Sequence, residues 1–346
     1  TLAAHWLFLG ATIGGTLVVL LNALRGDREL NRGLTPFLPF FLSAAMTVGV
    51  APLLFVQVLY GQFFYTANIL LGFFWLGLLA IVIVTFYLFW WAWHRGRQGK
   101  AVWWLLPAAA LVLFVKAATI LSSNATLTQS PEAWEGLWAR GMNALYMGAP
   151  TLVPRLLFAL SGFLAGGGLV VAVLSQAGLL YGGAASARGK RRGLAVAVPA
   201  LLAQVLLGVL LLIALPPAQR RAVLAGGAES AFAYVAALAF VATAVFAWRA
   251  RATESLGRVI CPAVLFFVGL LGVALARDTA RCAALAPYYD LSAVPMPHPE
   301  WLNLGLFLVV FLAGLGVIAY LVKLARTESP APEDGPERPG RPLPQS

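Results

Sequence analysis

Long apolar stretches alternate with short polar connections along most of the chain. Nine of these stretches have about 20 residues or more, the length needed to cross the hydrocarbon core of a bilayer. They lie near residues 2–24, 36–60, 68–92, 101–122, 152–181, 193–215, 230–248, 257–276 and 301–325. The pattern predicts an all-α, polytopic membrane protein with nine transmembrane helices. We expect residues 1–326 to form two helix bundles and a final helix.

The composition supports this class of protein. The chain has 346 residues, of which 61% are hydrophobic and 11% are charged, and its mean hydropathy is +0.85. These values exclude an ordinary soluble domain. Residues 327–346 differ from the rest, because they contain six prolines and almost no apolar side chain. We expect them to form a disordered, Pro-rich cytoplasmic tail.

Basic residues predict the orientation of the spans. The connections after spans 1, 3, 5 and 7 hold thirteen Lys or Arg residues, whereas those after spans 2, 4, 6 and 8 hold six. The positive-inside rule therefore predicts an N-terminus outside and a C-terminus in the cytoplasm. We also expect the membrane to be the inner membrane of a bacterium. The net charge of +11 follows mostly from this bias and favours contact with anionic lipids. No basic run is interleaved with exposed aromatic residues, which argues against a nucleic-acid partner.

The longest connections lie on the predicted outer side. Residues 123–151 contain Trp134, Trp138 and Tyr146, and residues 277–300 include a Pro-rich stretch. Trp and Tyr at this depth are typical of anchors in the membrane interface. Their density also suits a docking platform for an extracytoplasmic partner.

Ionisable side chains are nearly absent from the predicted spans. All thirteen Asp and Glu residues lie in connections, at helix ends or in the tail. A charge at a helix centre costs about 2.5–3.5 kcal/mol. Lys116 carries such a charge, and it either snorkels to the outer interface or pairs with Asp278 or an anionic cofactor group. Arg155 begins the fifth span and fits the same outer cluster. Asp278 and Arg281 are one turn apart, which favours a pair between them.

His5 is the histidine placed to face the membrane interior. It can be a hydrogen-bonded interfacial residue, the axial ligand of a single haem, or a hydrogen-bonding partner of a quinone head. Met46 is predicted to lie at a different depth, so we expect no His5–Met46 ligand pair. The candidate cofactor-binding residues are His5, Lys116 and Arg155, and His5 is also the candidate metal ligand.

Two further patterns concern cysteines and helix packing. Cys261 and Cys282 lie at opposite ends of the eighth span, too far apart for a disulfide. The chain has no CxxCH or CxxC motif for haem attachment or metal binding. The small-residue runs GATIGG at 10–15, AGGG at 165–168 and GLLG at 269–272 predict helix faces where two backbones approach closely.

The order of these segments resembles subunit I of the cytochrome bd-type quinol oxidases. The resemblance rests on HWLFLGATIGGTLVVLLNALRG from His5, on LTPFLPFFLSAAMTVGVAPLLFVQVLYGQFFYTAN after it, and on VALARDTAR before the last span. That subunit has nine helices and the orientation predicted above. The resemblance implies a subunit of a respiratory electron-transfer complex in the membrane.

Departures from that family's pattern change the expected activity. His5 matches the outer ligand of the oxygen-reducing haem. Leu157, Val235 and Leu271 stand near the positions of the family's second histidine, methionine and acidic ligands. The outer quinol-binding loop is reduced to PPAQRRAVLAGGAE. We therefore interpret the chain as a degenerate relative that is not an oxygen reductase on its own. The sequence assigns it no cofactor, and one haem or a quinone stays open.

Three functions remain open at this point. The first is a membrane subunit of a respiratory complex that anchors a redox partner, a c-type cytochrome, on its outer loops and contacts quinol. The second is a transport or binding protein for a lipophilic molecule, with a cleft lined by His5, Lys116 and Arg155. The third is a quinol-oxidising enzyme with a remodelled outer site. Lipids and other subunits of a membrane complex are expected partners.

Overall fold

The protein is built from α-helices, as the sequence predicts. A computed structural model describes residues 1–100, 102–225, 227–289 and 301–327. The chain divides into two compact units, residues 1–290 and 291–346, which are described separately. In chain order the α-helices are α1 (Leu2–Leu24), α2 (Arg28–Leu34), α3 (Phe37–Leu59), α4 (Gly61–Leu71), α5 (Phe73–Arg97), α6 (Leu105–Leu127), α7 (Trp134–Ala139), α8 (Leu152–Gln176), α9 (Gly183–Ala214), α10 (Pro217–Ala225), α11 (Ala231–Ala250), α12 (Leu256–Leu285) and α13 (Trp301–Thr327).

Eight helical segments of the described residues are long and apolar enough to cross a membrane. They contain α1, α3, α5, α6, α8, α9, α11 and α12, which accounts for the first eight predicted spans. The ninth predicted span, residues 301–325, falls within α13 of the second unit. Of the predicted tail, residues 328–346 lie outside the described residues.

The third predicted span, residues 68–92, is interrupted near its start. The chain forms α4, breaks at Gly72 and continues as α5. Gly72 has a φ of +51°, a left-handed conformation that is unstrained only for glycine. Asn143, in the connection between α7 and α8, stabilises this break with two hydrogen bonds. Its Oδ1 accepts a hydrogen bond from Phe73 N at 3.0 Å, and its backbone N donates to Leu70 O at 2.9 Å.

Helices α1, α8, α9, α11 and α12 form one core of the first unit, and glycines bring their backbones into contact. A Cβ at Gly167 of α8 would lie 2.1 Å from the carbonyl oxygen of Gly10 in α1. A Cβ at Gly168 would lie 2.5 Å from the carbonyl oxygen of Gly193 in α9. In α12, a Cβ at Gly272 would lie 2.7 Å from a carbonyl oxygen of α11. The three small-residue runs therefore make the close helix contacts predicted from the sequence.

Helices α1 and α3 run antiparallel and are staggered along their axes. Gly15 of α1 packs against Leu38 near the start of α3, and His5 packs against Gly49. Because α3 continues for ten residues after Gly49, it extends well past the level of His5. His5 therefore lies beside the middle of α3.

The two ends of the first unit are built differently. At the first, which we call the basic end, Arg188 pairs with Glu29, and buried Lys190 donates to Thr253 O and lies 3.4 Å from Glu254. These contacts join the connections that carry most of the basic residues. At the opposite end α6 and α9 finish and α8 and α10 begin. We call it the cavity end.

Candidate functional site

A cavity of about 350 Å³ lies at the cavity end, between the ends of α6 and α9 and the starts of α8 and α10. Its lining residues with polar side chains are Thr126, Gln129, Ser130, Glu132, Tyr146, Thr151, Arg155 and Gln219. The first turns of α8 and α10 border the cavity, and the positive end of a helix dipole favours negative charge, but Pro216 and Pro217 offer no N–H donor at the start of α10. The cavity therefore suits a small anionic or hydrogen-bonding group.

Arg155 is the cation in the cavity wall. It lies one turn into α8, and its Nη1 donates a hydrogen bond to Thr126 Oγ1 at 3.0 Å. Its side chain is half-buried in the cavity wall, and Arg281 lies near enough to repel it. Because a threonine hydroxyl carries no charge, this contact leaves the positive charge of Arg155 uncompensated.

Helix α12 brings two more arginines close to Arg155. Buried Arg281 pairs with Asp278 at 3.4 Å and lies over the ring of Tyr60, 4.9 Å from its centroid. The Asp278–Arg281 pair predicted from the sequence is therefore confirmed. The half-buried side chain of Arg277 lies near both other arginines, which oppose its charge, and near Asp278, which favours it. Within the part of the chain that the structure describes, Arg277 has no hydrogen bond or ion pair.

Neighbouring side chains add one more carboxylate and a tyrosine–cysteine contact. Glu132 borders the cavity and accepts a hydrogen bond from the exposed hydroxyl of Tyr288 at 3.3 Å. The Tyr60 hydroxyl lies 3.5 Å from Cys282 Sγ. Burial, this hydrogen bond and the charge of Asp278 raise the pKa of Tyr60 well above its usual range, so Tyr60 stays protonated. Around the cavity, three arginines (Arg155, Arg277 and Arg281) outnumber two acids (Glu132 and Asp278), so this cluster has a net positive charge.

His5 is oriented by the contact between α1 and α3. Its Nδ1 lies 2.7 Å from the carbonyl oxygen of Ala45. Because a carbonyl only accepts, Nδ1 carries the proton, and Nε2 is the atom that can accept a hydrogen bond or bind a metal. Gly49 makes room for the ring, since a Cβ there would lie 2.5 Å from Nδ1. The described residues contain no group of three His, Cys, Asp or Glu side chains that could hold a metal ion.

The predicted difference in depth between His5 and Met46 is wrong. Because α1 and α3 are staggered, His5 is level with Ala45, which precedes Met46 in the chain. The two side chains instead point in different directions. Met46 faces α5, where it lines an apolar cavity of about 550 Å³ with Phe86 and Tyr87. The helix face, not the depth, therefore argues against a His5–Met46 ligand pair.

Lys116 stands at the centre of α6, with eleven residues of the helix on either side. It is deeper than the sequence suggests, because α6 continues to Leu127 instead of ending near residue 122. Its side chain is exposed on the helix surface and, among the described residues, has no hydrogen bond or ion pair. The predicted pair with Asp278 is wrong, because that carboxylate pairs with Arg281.

The three predicted site residues occupy three different surroundings. Arg155 lines the polar cavity, His5 bonds to α3, and Lys116 is exposed on α6. Sequence reasoning did not single out Arg277 as a site residue. The spacing could have done so, because Arg277 and Arg281 are four residues apart in VALARDTAR and therefore share one helix face.

The fold and this site define a polytopic α-helical membrane protein with a positively charged, polar cavity at one end. Neither a protein-family model nor a curated protein matches the chain. Its function must therefore be inferred from its own residues.

Proposed function

We propose that the chain is a membrane subunit of a respiratory electron-transfer complex in the inner membrane of a bacterium, similar to subunit I of the cytochrome bd-type oxidases. The cavity end faces outwards and anchors an extracytoplasmic redox partner, a c-type cytochrome. The basic end faces the cytoplasm, in line with the positive-inside rule. Helix α13 makes the ninth crossing, which leaves the N-terminus outside and the C-terminus in the cytoplasm.

The observation that carries this proposal is the presence of exposed aromatic side chains at the same end as the positively charged cavity. Trp138 is 64% exposed and Tyr288 is 51% exposed. Tyr288 also bonds to Glu132 in the cavity wall. Aromatic residues and arginine are enriched where proteins dock onto one another. The cavity end thus combines a surface for a partner with a site for a charged group.

Arg155 gives the cavity its role in cofactor contact. Its guanidinium and the two helix starts suit a carboxylate, such as a haem propionate, or the carbonyl oxygen of a quinone. Thr126 and Thr151 add hydroxyl groups to the same wall. Glu132 can take a proton from a quinol hydroxyl, because it is the carboxylate in the wall. These residues support contact with quinol at the outer surface.

Photocrosslinking at the cavity end tests the docking part of the proposal. A photoreactive residue replaces Trp138 in the full chain in native membranes, and a matched probe replaces exposed Arg97 at the basic end. We expect position 138 to crosslink to a protein that contains haem c, and position 97 not to do so. A haem protein captured only from position 97, or a partner at position 138 without any redox group, contradicts the proposal.

A substitution in the cavity tests the cofactor part. Arg155→Gln removes the charge, and Arg191→Gln, at an exposed position of the basic end, is the control. We expect Arg155→Gln to lower quinol-linked reduction of the partner by about tenfold or more, since a hydrogen bond to a charged group contributes about 1.5–3 kcal/mol. Arg191→Gln should leave the rate unchanged. Equal rates in both variants would show that the cavity does not contact the electron donor.

A second function, binding of a lipophilic molecule, is favoured by the apolar cavity between α3 and α5. Its lining residues are Leu42, Ser43, Met46, Val82, Ile83, Phe86 and Tyr87. Native mass spectrometry of the purified protein would detect a bound lipophile, and Met46→Trp should displace it by filling the cavity. A ligand that persists at full occupancy in this variant binds elsewhere.

A further inference from the structure

One face of α6 is exposed along the first half of the helix. We call it the α6 stripe, and it consists of Leu105, Ala109, Val112 and Lys116. These residues follow one another at intervals of three or four, so they lie in line on the helix surface. Val112 is 68% exposed. Pro107, Ala110 and Phe114 are buried and anchor the opposite face of α6 in the first unit.

Lys116 places a charge in this stripe at the centre of a helix that is long and apolar enough to cross a membrane. Each end of α6 is about 16 Å away along the helix axis, further than a lysine side chain reaches. Snorkelling alone therefore does not bring its ammonium group to either end of the helix. Charged groups inside a membrane normally pair with another group or face a water-filled cavity. Lys116 therefore requires an acidic group at the same depth.

The spans that the structure describes supply no such countercharge. None of its thirteen Asp and Glu residues falls near the centre of a span. Asp278, in α12, is paired with Arg281. The sequence of α13, from Trp301 to Thr327, contains no Asp or Glu. A second copy of the chain would bring the same spans and therefore no carboxylate at this depth.

We propose that the α6 stripe is covered by a transmembrane helix of a second, different polypeptide, which presents an Asp or Glu to Lys116. The small side chain of Ala109 allows a close helix contact, and the pair of opposite charges sets the register. The inference rests on the proposed role as a complex subunit, but not on the redox nature of the outer partner. It gives the complex a second partner, inside the membrane.

Photocrosslinking within the membrane tests this interface. A photoreactive residue replaces Val112 in the full chain in native membranes, and a matched probe replaces Val264 of α12, which is 57% exposed. We expect position 112, but not position 264, to capture a transmembrane peptide with an Asp or Glu near its middle. Lys116→Met should reduce this crosslink about tenfold, the scale of 1.4 kcal/mol, whereas Lys116→Arg should retain it.

The partner side supplies a second measurement that does not depend on how Lys116→Met folds. Changing the captured carboxylate to its amide should lower the crosslink as much as Lys116→Met does. The proposal is overturned if position 112 captures only lipid or quinone, a second copy of this chain, or a helix without an acid. It is also overturned if neither substitution changes the yield. A redox partner missing at position 138 would refute the outer docking proposal and leave this interface standing.

Discussion

The Nδ1 atom of His5 lies 2.7 Å from the carbonyl oxygen of Ala45, forty residues later in the chain. This hydrogen bond ties α1 to the middle of α3 and fixes the tautomer of the imidazole. Histidine ligands of metals commonly have the same arrangement, in which one ring nitrogen donates to a fixed acceptor and the other is presented to the metal. His5 therefore has the orientation that either a ligand or a hydrogen-bond acceptor needs.

Gly49→Ala should destabilise the protein through His5. The new Cβ would lie 2.5 Å from Nδ1, so the ring must shift and lose its bond to Ala45. We expect a cost of about 1–3 kcal/mol, measured as a lower midpoint of thermal unfolding in detergent. Combining it with His5→Ala should cost less than the sum of the two single changes, because the clash is then removed. Gly77→Ala, at a position with open space, is the control and should be neutral or stabilising.

Gly72→Ala should disrupt the junction of α4 and α5. The added Cβ would lie 1.8 Å from Asn143 Oδ1, and alanine disfavours the positive φ. We expect a loss of about 2 kcal/mol or more in unfolding free energy. Gly141→Ala separates the two causes, because Gly141 has a φ of +87° but open space around it. If both variants lose the same stability, the contact with Asn143 contributes nothing.

Lys190→Met should weaken the basic end. Lys190 is buried, and its Nζ donates to Thr253 O and lies near Glu254. Methionine keeps the length of the side chain but leaves a carbonyl oxygen without its donor, at a cost of about 1–3 kcal/mol. Exposed Arg191 supplies the control, and Arg191→Met should change the unfolding midpoint little. Equal effects of the two changes would mean that burial gives Lys190 no special role.

The isolated chain should bind less than one equivalent of haem. His5 is the histidine that faces into the described spans, His94 lies in the last turn of α5, and His298 falls outside the described residues. A bis-histidine haem within the membrane therefore lacks a second ligand. A pyridine haemochrome assay on the purified chain measures this directly. Haem in twofold excess over the chain would contradict the prediction.

Hydropathy located the spans well because most of them end at charged or polar connections, as α1 does before Arg25. It could not locate the break at Gly72, since apolar residues stand on both sides and the partner Asn143 is seventy residues away. The depth of a side chain within its helix bundle was harder still to predict. Counting residues from helix ends assumes that all helices begin at one level, and the stagger of α1 against α3 violates that assumption. Arg155 stood out as a charge inside a span, but its proximity to Arg277 depends on how α8 packs against α12.

The hydrogen bonds between Asn143 and the break at Gly72 have a consequence for how the protein folds during its synthesis. The α4–α5 junction leaves the ribosome long before Asn143 does, and α6 and α7 are synthesised in between. Until Asn143 has been synthesised and has packed against the junction, Phe73 N and Leu70 O lack the partners they have in the finished protein. The junction therefore reaches its final structure only after a later segment has been made. In a nascent chain stalled before residue 143, α4 and α5 would be inserted without the hydrogen bonds that fix their junction.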